Sequence, residues 1–208
     1  MSNDSRSAAE AKRLEQLWSG EFGNAYIERN RTAGEHRAAF WAATLAAFPV
    51  QRILEVGCNL GGNLQHIASQ LPPEQVYGID INQQALLELH RLVPGVNALY
   101  SPARELPFRD RWFDLVFTMG VLIHQPETTL PLVMAEIVRC SRRYVLCGEY
   151  YAEQTTEISY RGEHAALFKR DYGRIYQELF PDLQLRQTGL LGRDEGWDDV
   201  TYWLFEKP

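Results

Sequence analysis

The 208-residue sequence predicts one α/β domain built on a doubly wound, mostly parallel sheet. Two observations carry that expectation. Short apolar runs of strand character alternate with longer stretches of helical spacing, the pattern of successive βαβ units. The first of those runs also ends on a glycine-bearing loop that opens a helix. A chain of this length, 45% hydrophobic and 23% charged, buries one substantial core and is short for two domains.

The elements follow in order. Ala8 to Trp18 and His36 to Phe48 carry helix formers with apolar residues three and four apart, punctuated by Gly20, Gly23 and Gly34. Arg52 to Val56 is a short strand, and Gly61 to Gln70 is a helix closed by Pro72 and Pro73. The pattern repeats with Val76 to Ile79 as strand, Gln83 to Leu92 as helix and Val96 to Tyr100 as strand, which makes two right-handed crossovers. Phe113 to Thr118 is a buried strand, Leu130 to Cys140 a helix and Tyr144 to Glu149 a strand. His164 to Leu179 has helical character, and Leu183 to Phe205 carries two strands around the turn-rich GRDEGWDD.

Charge narrows the partners. With 27 acidic against 21 basic residues the net charge is −6, and no run of five or six Lys or Arg appears, so nucleic acid and anionic membranes are disfavoured. Three widely spaced cysteines, Cys58, Cys140 and Cys147, suit a reducing compartment better than a disulfide framework. The N-terminus has no apolar leader, and no stretch reaches the roughly 18 apolar residues of a membrane span. A cytoplasmic protein acting on a small molecule is the expectation; the oligomeric state is left open.

Ligands of open α/β sheets bind beyond the carboxyl ends of the strands. The first such loop reads Glu55-Val-Gly57-Cys-Asn59-Leu-Gly61-Gly-Asn63, where glycines permit tight turning and close approach of backbone to a ligand. The second strand ends on Asp80, 23 residues after Gly57, placed to accept hydrogen bonds from a ribose diol. A dinucleotide site asks for GxGxxG facing a pyrophosphate, whereas here the order is GxxxGG behind the carboxylate of Glu55. That carboxylate repels a pyrophosphate and attracts an ammonium, which disfavours a nicotinamide-dependent oxidoreductase.

These residues resemble class I S-adenosylmethionine-dependent methyltransferases: ILEVGCNLGGN is similar to their first motif, YGIDIN to their acidic second-strand end, and FDLVFTMGVLIHQP to their fourth strand. The resemblance covers roughly residues 50 to 150. It implies a Rossmann-like seven-stranded sheet ordered 3-2-1-4-5-7-6 with strand 7 antiparallel, and S-adenosylmethionine as methyl donor. The N-terminal LWSGEFGNAYIERN and the later GEYYAEQTTEISYRGEHAALFKRD also look like the pseudaminic acid biosynthesis-associated methylase family, extending the resemblance over most of the chain.

The candidate cofactor residues are Tyr26, Arg29, Glu55, Gly57, Asn59, Gly61, Asn63, Asp80, Ile81, Ser101, Ala103 and Met119. Arg29 suits a bidentate grip on the cofactor's carboxylate, Ile81 the adenine face, and Ser101 and Ala103 the adenine edge, where many relatives carry an Asp that this chain lacks. Asp80 has a second reading as helix N-cap. Cys58 has no partner His and reads as packing. His124 is a candidate general base and Tyr151 a second catalytic candidate; against His124 stands a structural role in the pocket. Tyr150, Tyr160, Arg161, Lys169 and Arg170 are expected around the acceptor, suggesting a small anion such as a sugar acid or carboxylate methylated on oxygen. A small-molecule N-methyltransferase and a non-catalytic S-adenosylmethionine-binding module are the alternatives. Residues 1–48 are expected to form a helical segment closing over the cofactor, and residues 49–208 the globular methyltransferase unit.

Overall fold

The computed structural model describes residues 3–31 and 34–208, with side chains among them outside residues 3–8. Of the segment expected to close over the cofactor, Met1, Ser2, Thr32 and Ala33 therefore lie outside the described residues.

The strands are β1 Ile53–Val56, β2 Val76–Asp80, β3 Asn97–Tyr100, β4 Phe113–Met119, β5 Ser141–Glu149, a short ribbon of β6 Thr156–Glu157 and β7 Phe168–Lys169, then β8 Gln184–Leu191 and β9 Val200–Glu206. Seven form one sheet ordered β3-β2-β1-β4-β5-β9-β8, with β9 antiparallel to β5 and to β8. With the ribbon set aside, this is the expected 3-2-1-4-5-7-6 arrangement.

Helices cover both faces because the interior strands are apolar on both. In β1 all four residues are buried. Leu54 and Val56 join Val116, Val145 and Phe205 on one face, packed by α6 (Leu130–Cys140) and α7 (Tyr172–Leu179) through Val133, Ile137 and Tyr176. Ile53 joins Leu115, Phe117 and Leu146 on the other, covered by Trp41 of α3 (Ala38–Ala47), Leu64 and Ile67 of α4 (Leu64–Ala68), and Leu86 and Leu89 of α5 (Gln83–Leu92). The period-two alternation of a strand thus distributes one apolar run between two cores.

Three expected elements differ. The helix after β1 begins at Leu64 rather than Gly61, because Gly61 takes φ +79°, outside the right-handed helical region. The stretch 164–171 is not helical: Ala165 has φ +50°, β7 pairs with β6, and Asp171 caps α7 by accepting from Arg174 N at 2.9 Å. Ahead of the sheet, α1 (Asn3–Ser19) is followed by a second helix, α2 (Glu21–Arg29), which the glycine punctuation had hidden. The two meet closely: a Cβ on Gly23 would stand 1.8 Å from the carbonyl oxygen of Trp18, so only glycine fits there.

Candidate active site

A cavity of about 210 Å³ lies at the carboxyl ends of β1, β2 and β4, under α1 and α2. Its floor is the loop after β1. Gly57 N and Cys58 N both donate to Ile79 O, at 2.8 and 2.9 Å, which ties this loop to β2. Gly57 has φ +77°, and Gly61 packs beneath the loop against Leu89 and Val93 instead of lining the cavity.

The polar half of the cavity centres on Glu55, which is 2% exposed. Its Oε1 accepts from Asn63 Nδ2 at 2.6 Å, while its buried Oε2 has no partner among the described residues. Asn63 Oδ1 in turn accepts from Arg37 Nη1 at 3.1 Å and Trp41 Nε1 at 3.3 Å. Burial pushes the Glu55 carboxyl up to about 8, against the opposing effects of Asn63 and Arg37. A buried carboxylate oxygen without a donor is costly, so this position fits an incoming cationic donor.

Asp80 Oδ2 accepts from Asn59 N at 2.8 Å and Oδ1 from Asn82 N at 2.9 Å. Burial raises the Asp80 carboxyl and these backbone donors oppose the rise. Each oxygen keeps a lone pair for a ligand. The N-cap of α5 is Asn82, whose side chain accepts from Ala85 N at 3.1 Å, so Asp80 is not the cap. Asn82 Nδ2 also donates to Trp18 O at 3.1 Å and Asn24 Oδ1 at 2.9 Å, seating the α1–α2 turn beside Asp80.

Ile81, Ser101, Ala103, Met119, Asn59 and Tyr26 line the same cavity. Ser101 donates its hydroxyl proton to Glu105 O at 2.8 Å and can offer a ligand only its lone pairs. Arg29 is exposed, with its guanidinium 5.9 Å from the Phe22 ring centre and 5.8 Å from that of Tyr26, and it does not line the cavity. Arg37 does, resting 4.1 Å from the Trp197 ring centre and donating to Gly196 O at 3.1 Å. No motif marks Arg37 in the sequence.

The other half of the cavity is aromatic. Trp18 lies 4.2 Å from His124 and 5.3 Å from Tyr26, ring centre to ring centre, with Phe22 and Tyr160 packed behind. The signal for this wall is the four-residue spacing of Trp18, Phe22 and Tyr26. His124 Nδ1 lies 2.6 Å from Ala166 O, and a carbonyl only accepts, so Nδ1 carries the proton and Nε2 the lone pair. Burial lowers the imidazole to about 4.

The remaining expected residues stand outside the cavity. Tyr151 is 47% exposed, against Trp203. Tyr150 donates its hydroxyl to Asp198 at 2.5 Å, and Lys169 sits 5.7 Å from the Tyr150 ring centre. Arg161 is exposed on a turn with φ +53°. Arg170 is buried and donates to Gln125 O at 3.0 Å, bracing the loop after β4 from behind. Glu149, which the sequence reading passed over, is fully buried at the end of β5 and accepts from Val121 N at 3.3 Å and Ile123 N at 3.2 Å. It holds that same loop in place.

The family profile described as "Methyltransferase domain" matches residues 53–143. That match to a methyltransferase domain takes in a little under half of the chain. The matched stretch runs from β1 into β5 and includes the glycine loop, Asp80 and the loop of His124. Over 113 residues the chain is 30% identical to a probable phthiotriol/phenolphthiotriol dimycocerosates methyltransferase 2 of Mycobacterium ulcerans, covering 53% of this chain and 41% of that protein. Over 119 residues it is 33% identical to cycloartenol-C-24-methyltransferase of Arabidopsis thaliana, covering 54% and 33%. The chain thus spans well under half the length of these curated relatives. Among solved structures, magnesium protoporphyrin IX methyltransferase from Synechocystis PCC 6803 with bound SAH superposes with a TM-score of 0.71 at 12% identity, covering 95% of this chain and 99% of that one. Burkholderia thailandensis 1,6-didemethyltoxoflavin-N1-methyltransferase gives 0.70 at 16%, covering 100% and 91%. At such identities the likeness is one of fold, and it extends beyond the matched stretch through β8 and β9.

Proposed function

We propose that this protein transfers the methyl group of S-adenosylmethionine to a small-molecule acceptor, with oxygen the favoured target. One observation carries the reading: the buried, unpartnered Oε2 of Glu55, in a cavity whose floor is the glycine loop and whose wall is Asp80. Bound there, S-adenosylmethionine supplies an electrophilic methyl on a sulfonium. Glu55 would accept the ammonium of its methionine part and Asp80 the ribose hydroxyls. Arg37, rather than Arg29, is placed for the carboxylate. Asn59, Asn63, Gly57 and Met119 would shape the middle of the site, and Ile81, Ser101 and Ala103 the adenine end. Residues 1–48, as far as they are described, act as a cap that keeps water from the reacting centre.

His124 serves in this reading as a fixed hydrogen-bond acceptor. An imidazole whose conjugate acid is held near 4 takes up a proton poorly, so orientation of the acceptor carries the rate more than proton removal does. Arg161, Lys169 and Arg170 stand away from the cavity and support no charge-based grip on an anion. The narrower likeness to the pseudaminic acid-associated methylases therefore rests on sequence segments alone. The test is mass spectrometry of protein purified without added ligand, followed by calorimetric titration: retained S-adenosylhomocysteine or micromolar binding is expected, and a bound nicotinamide nucleotide would overturn the reading.

A further inference from the structure

The aromatic half of the cavity states what kind of acceptor it takes. Among the described residues two guanidinium groups line the cavity, and both are engaged. Arg104 pairs with Glu15 at 2.6 Å, and Arg37 serves Asn63, the backbone at Gly196 and, in the proposed complex, the carboxylate of the cofactor. Of the acidic groups that line the same space, Glu15 is taken by Arg104, and Glu55 and Asp80 face the cofactor in the proposed complex, so no unpaired cation among the described residues is left there to hold an anion. His124 presents a lone pair at Nε2, since its one proton is fixed on Nδ1 by Ala166 O. A lone pair asks for an O–H or N–H donor, which a carboxylate does not have. Trp18 Nε1, buried and without a partner among the described residues, offers the complementary donor. Around these two polar points the wall is ring upon ring, with Tyr26 edge-on to Trp18 at 84° and Phe22 and Tyr160 filling in behind. Packed rings of this kind present a preformed surface suited to the face or edge of another ring.

We propose that the acceptor is an uncharged, planar aromatic or conjugated molecule carrying a ring hydroxyl or N–H, bound against the wall made by Trp18 and Tyr26 with that group donating to His124 Nε2; as the new bond to the methyl carbon forms, the S–C electron pair stays on S-adenosylhomocysteine and the released proton passes by way of Nε2 to solvent. This rests on the methyltransferase reading above and names its substrate class. A protonated amine fits less well, because the nitrogen that is to be methylated must keep its lone pair. An aliphatic sugar acid can offer a hydroxyl to the His124 lone pair but has no ring face for the aromatic wall, and its carboxylate finds no free guanidinium among the described residues.

The test is equilibrium dialysis of four probes against the S-adenosylhomocysteine-loaded protein at slightly acidic pH: 7-hydroxycoumarin, 7-methoxycoumarin, glucuronate and cyclohexylammonium. The proposal expects saturable binding of 7-hydroxycoumarin, with 7-methoxycoumarin weaker by about tenfold for want of the hydroxyl donor. Trp18→Ala should weaken 7-hydroxycoumarin by about tenfold, and Trp18→Phe should restore the part that the ring face supplies without the part owed to the Nε1 donor. Glucuronate or cyclohexylammonium binding more tightly than 7-hydroxycoumarin, equal binding of the two coumarins, or no binding by either coumarin would each overturn it. Calorimetry with S-adenosylhomocysteine alone separates the two readings. Failure there sinks the cofactor assignment, whereas normal binding there with a failed probe panel sinks only the acceptor class.

Discussion

The Val121 side chain fills the space that a Cβ on Gly57 would need: its Cγ2 lies 2.4 Å from the position such an atom would take. The loop after β4 is thereby packed on the loop after β1, and Glu149 holds Val121 in place through its amide. Two walls of the cavity are built as one unit. Gly57→Ala meets both a clash and a left-handed φ, and should destabilise the fold by roughly 2 kcal/mol or more. Adding Val121→Ala removes the clash and leaves the backbone strain, so the double variant should recover part of the loss. A denaturant midpoint for Gly57→Ala equal to wild type would show that the two loops are not coupled in this way.

Asp80 gives the second prediction. Replacing it with Ala removes a charged acceptor from Asn59 N, Asn82 N and, in the proposed complex, the ribose hydroxyls. Affinity for S-adenosylhomocysteine should fall by about tenfold or more, corresponding to about 1.5 to 3 kcal/mol for hydrogen bonds to a charged group. Calorimetric titration measures it. Unchanged affinity would confine Asp80 to organising the two loops.

The cap yields a third. Arg13 donates to His164 O at 3.0 Å, Glu15 pairs with Arg104, and Trp18 packs on His124, so α1 is fastened to three separate loops above the cavity. These ties are few, and those of Arg13 to His164 O and of Glu15 to Arg104 are exposed or partly so, where polar and charged contacts contribute little. The cap should open and close locally, and limited proteolysis between Phe22 and Arg31 should slow when S-adenosylhomocysteine is added. Equal cleavage with and without ligand would make α2 a fixed part of the fold.

The sheet and the carboxylate end of the cavity were legible in the sequence because both repeat a local pattern. Apolar runs such as Ile53–Val56 and Phe113–Thr118 announce buried strands, and Glu55, the glycines and Asp80 sit at strand ends where topology brings them together. The aromatic end was not legible, since its wall is assembled across the chain. Trp18 comes from α1, Tyr26 from α2 and His124 from a turn after β4, and what joins them is a tertiary seat at Asn82 and Ala166. Charge misled for a related reason. Arg161, Lys169 and Arg170 follow β5 in sequence, yet the β6–β7 ribbon turns that segment away, and Arg170 is consumed by the backbone of Gln125. Arg37, distant from any motif, lines the cavity where Arg29 does not, because it stands at the start of α3 beside Asn63.

The pH dependence of the cofactor-free protein follows from Glu55. Its folded-state carboxyl is raised to about 8 by burial, so the folded protein holds a proton that the unfolded chain gives up near the ordinary value of 4.5. Where the folded state binds the extra proton, stability falls as pH rises. The contribution is fully present below the ordinary carboxylate value and is lost as pH climbs through about 8. Glu149, raised to about 7, and Asp80, raised in the same direction, add to the same slope. The Tm of the ligand-free protein should therefore decline between about pH 5 and about pH 8, and Glu55→Gln should flatten part of that decline. Ligand reverses the situation at this one group. An ammonium donated to Oε2 favours the carboxylate, so binding S-adenosylhomocysteine near neutral pH should expel a proton from Glu55. Calorimetry in two buffers of different ionisation enthalpy reads that release directly: wild type should show it and Glu55→Gln should lack it. Identical apparent enthalpies in both buffers for wild type would mean that the ligand's ammonium does not meet Glu55.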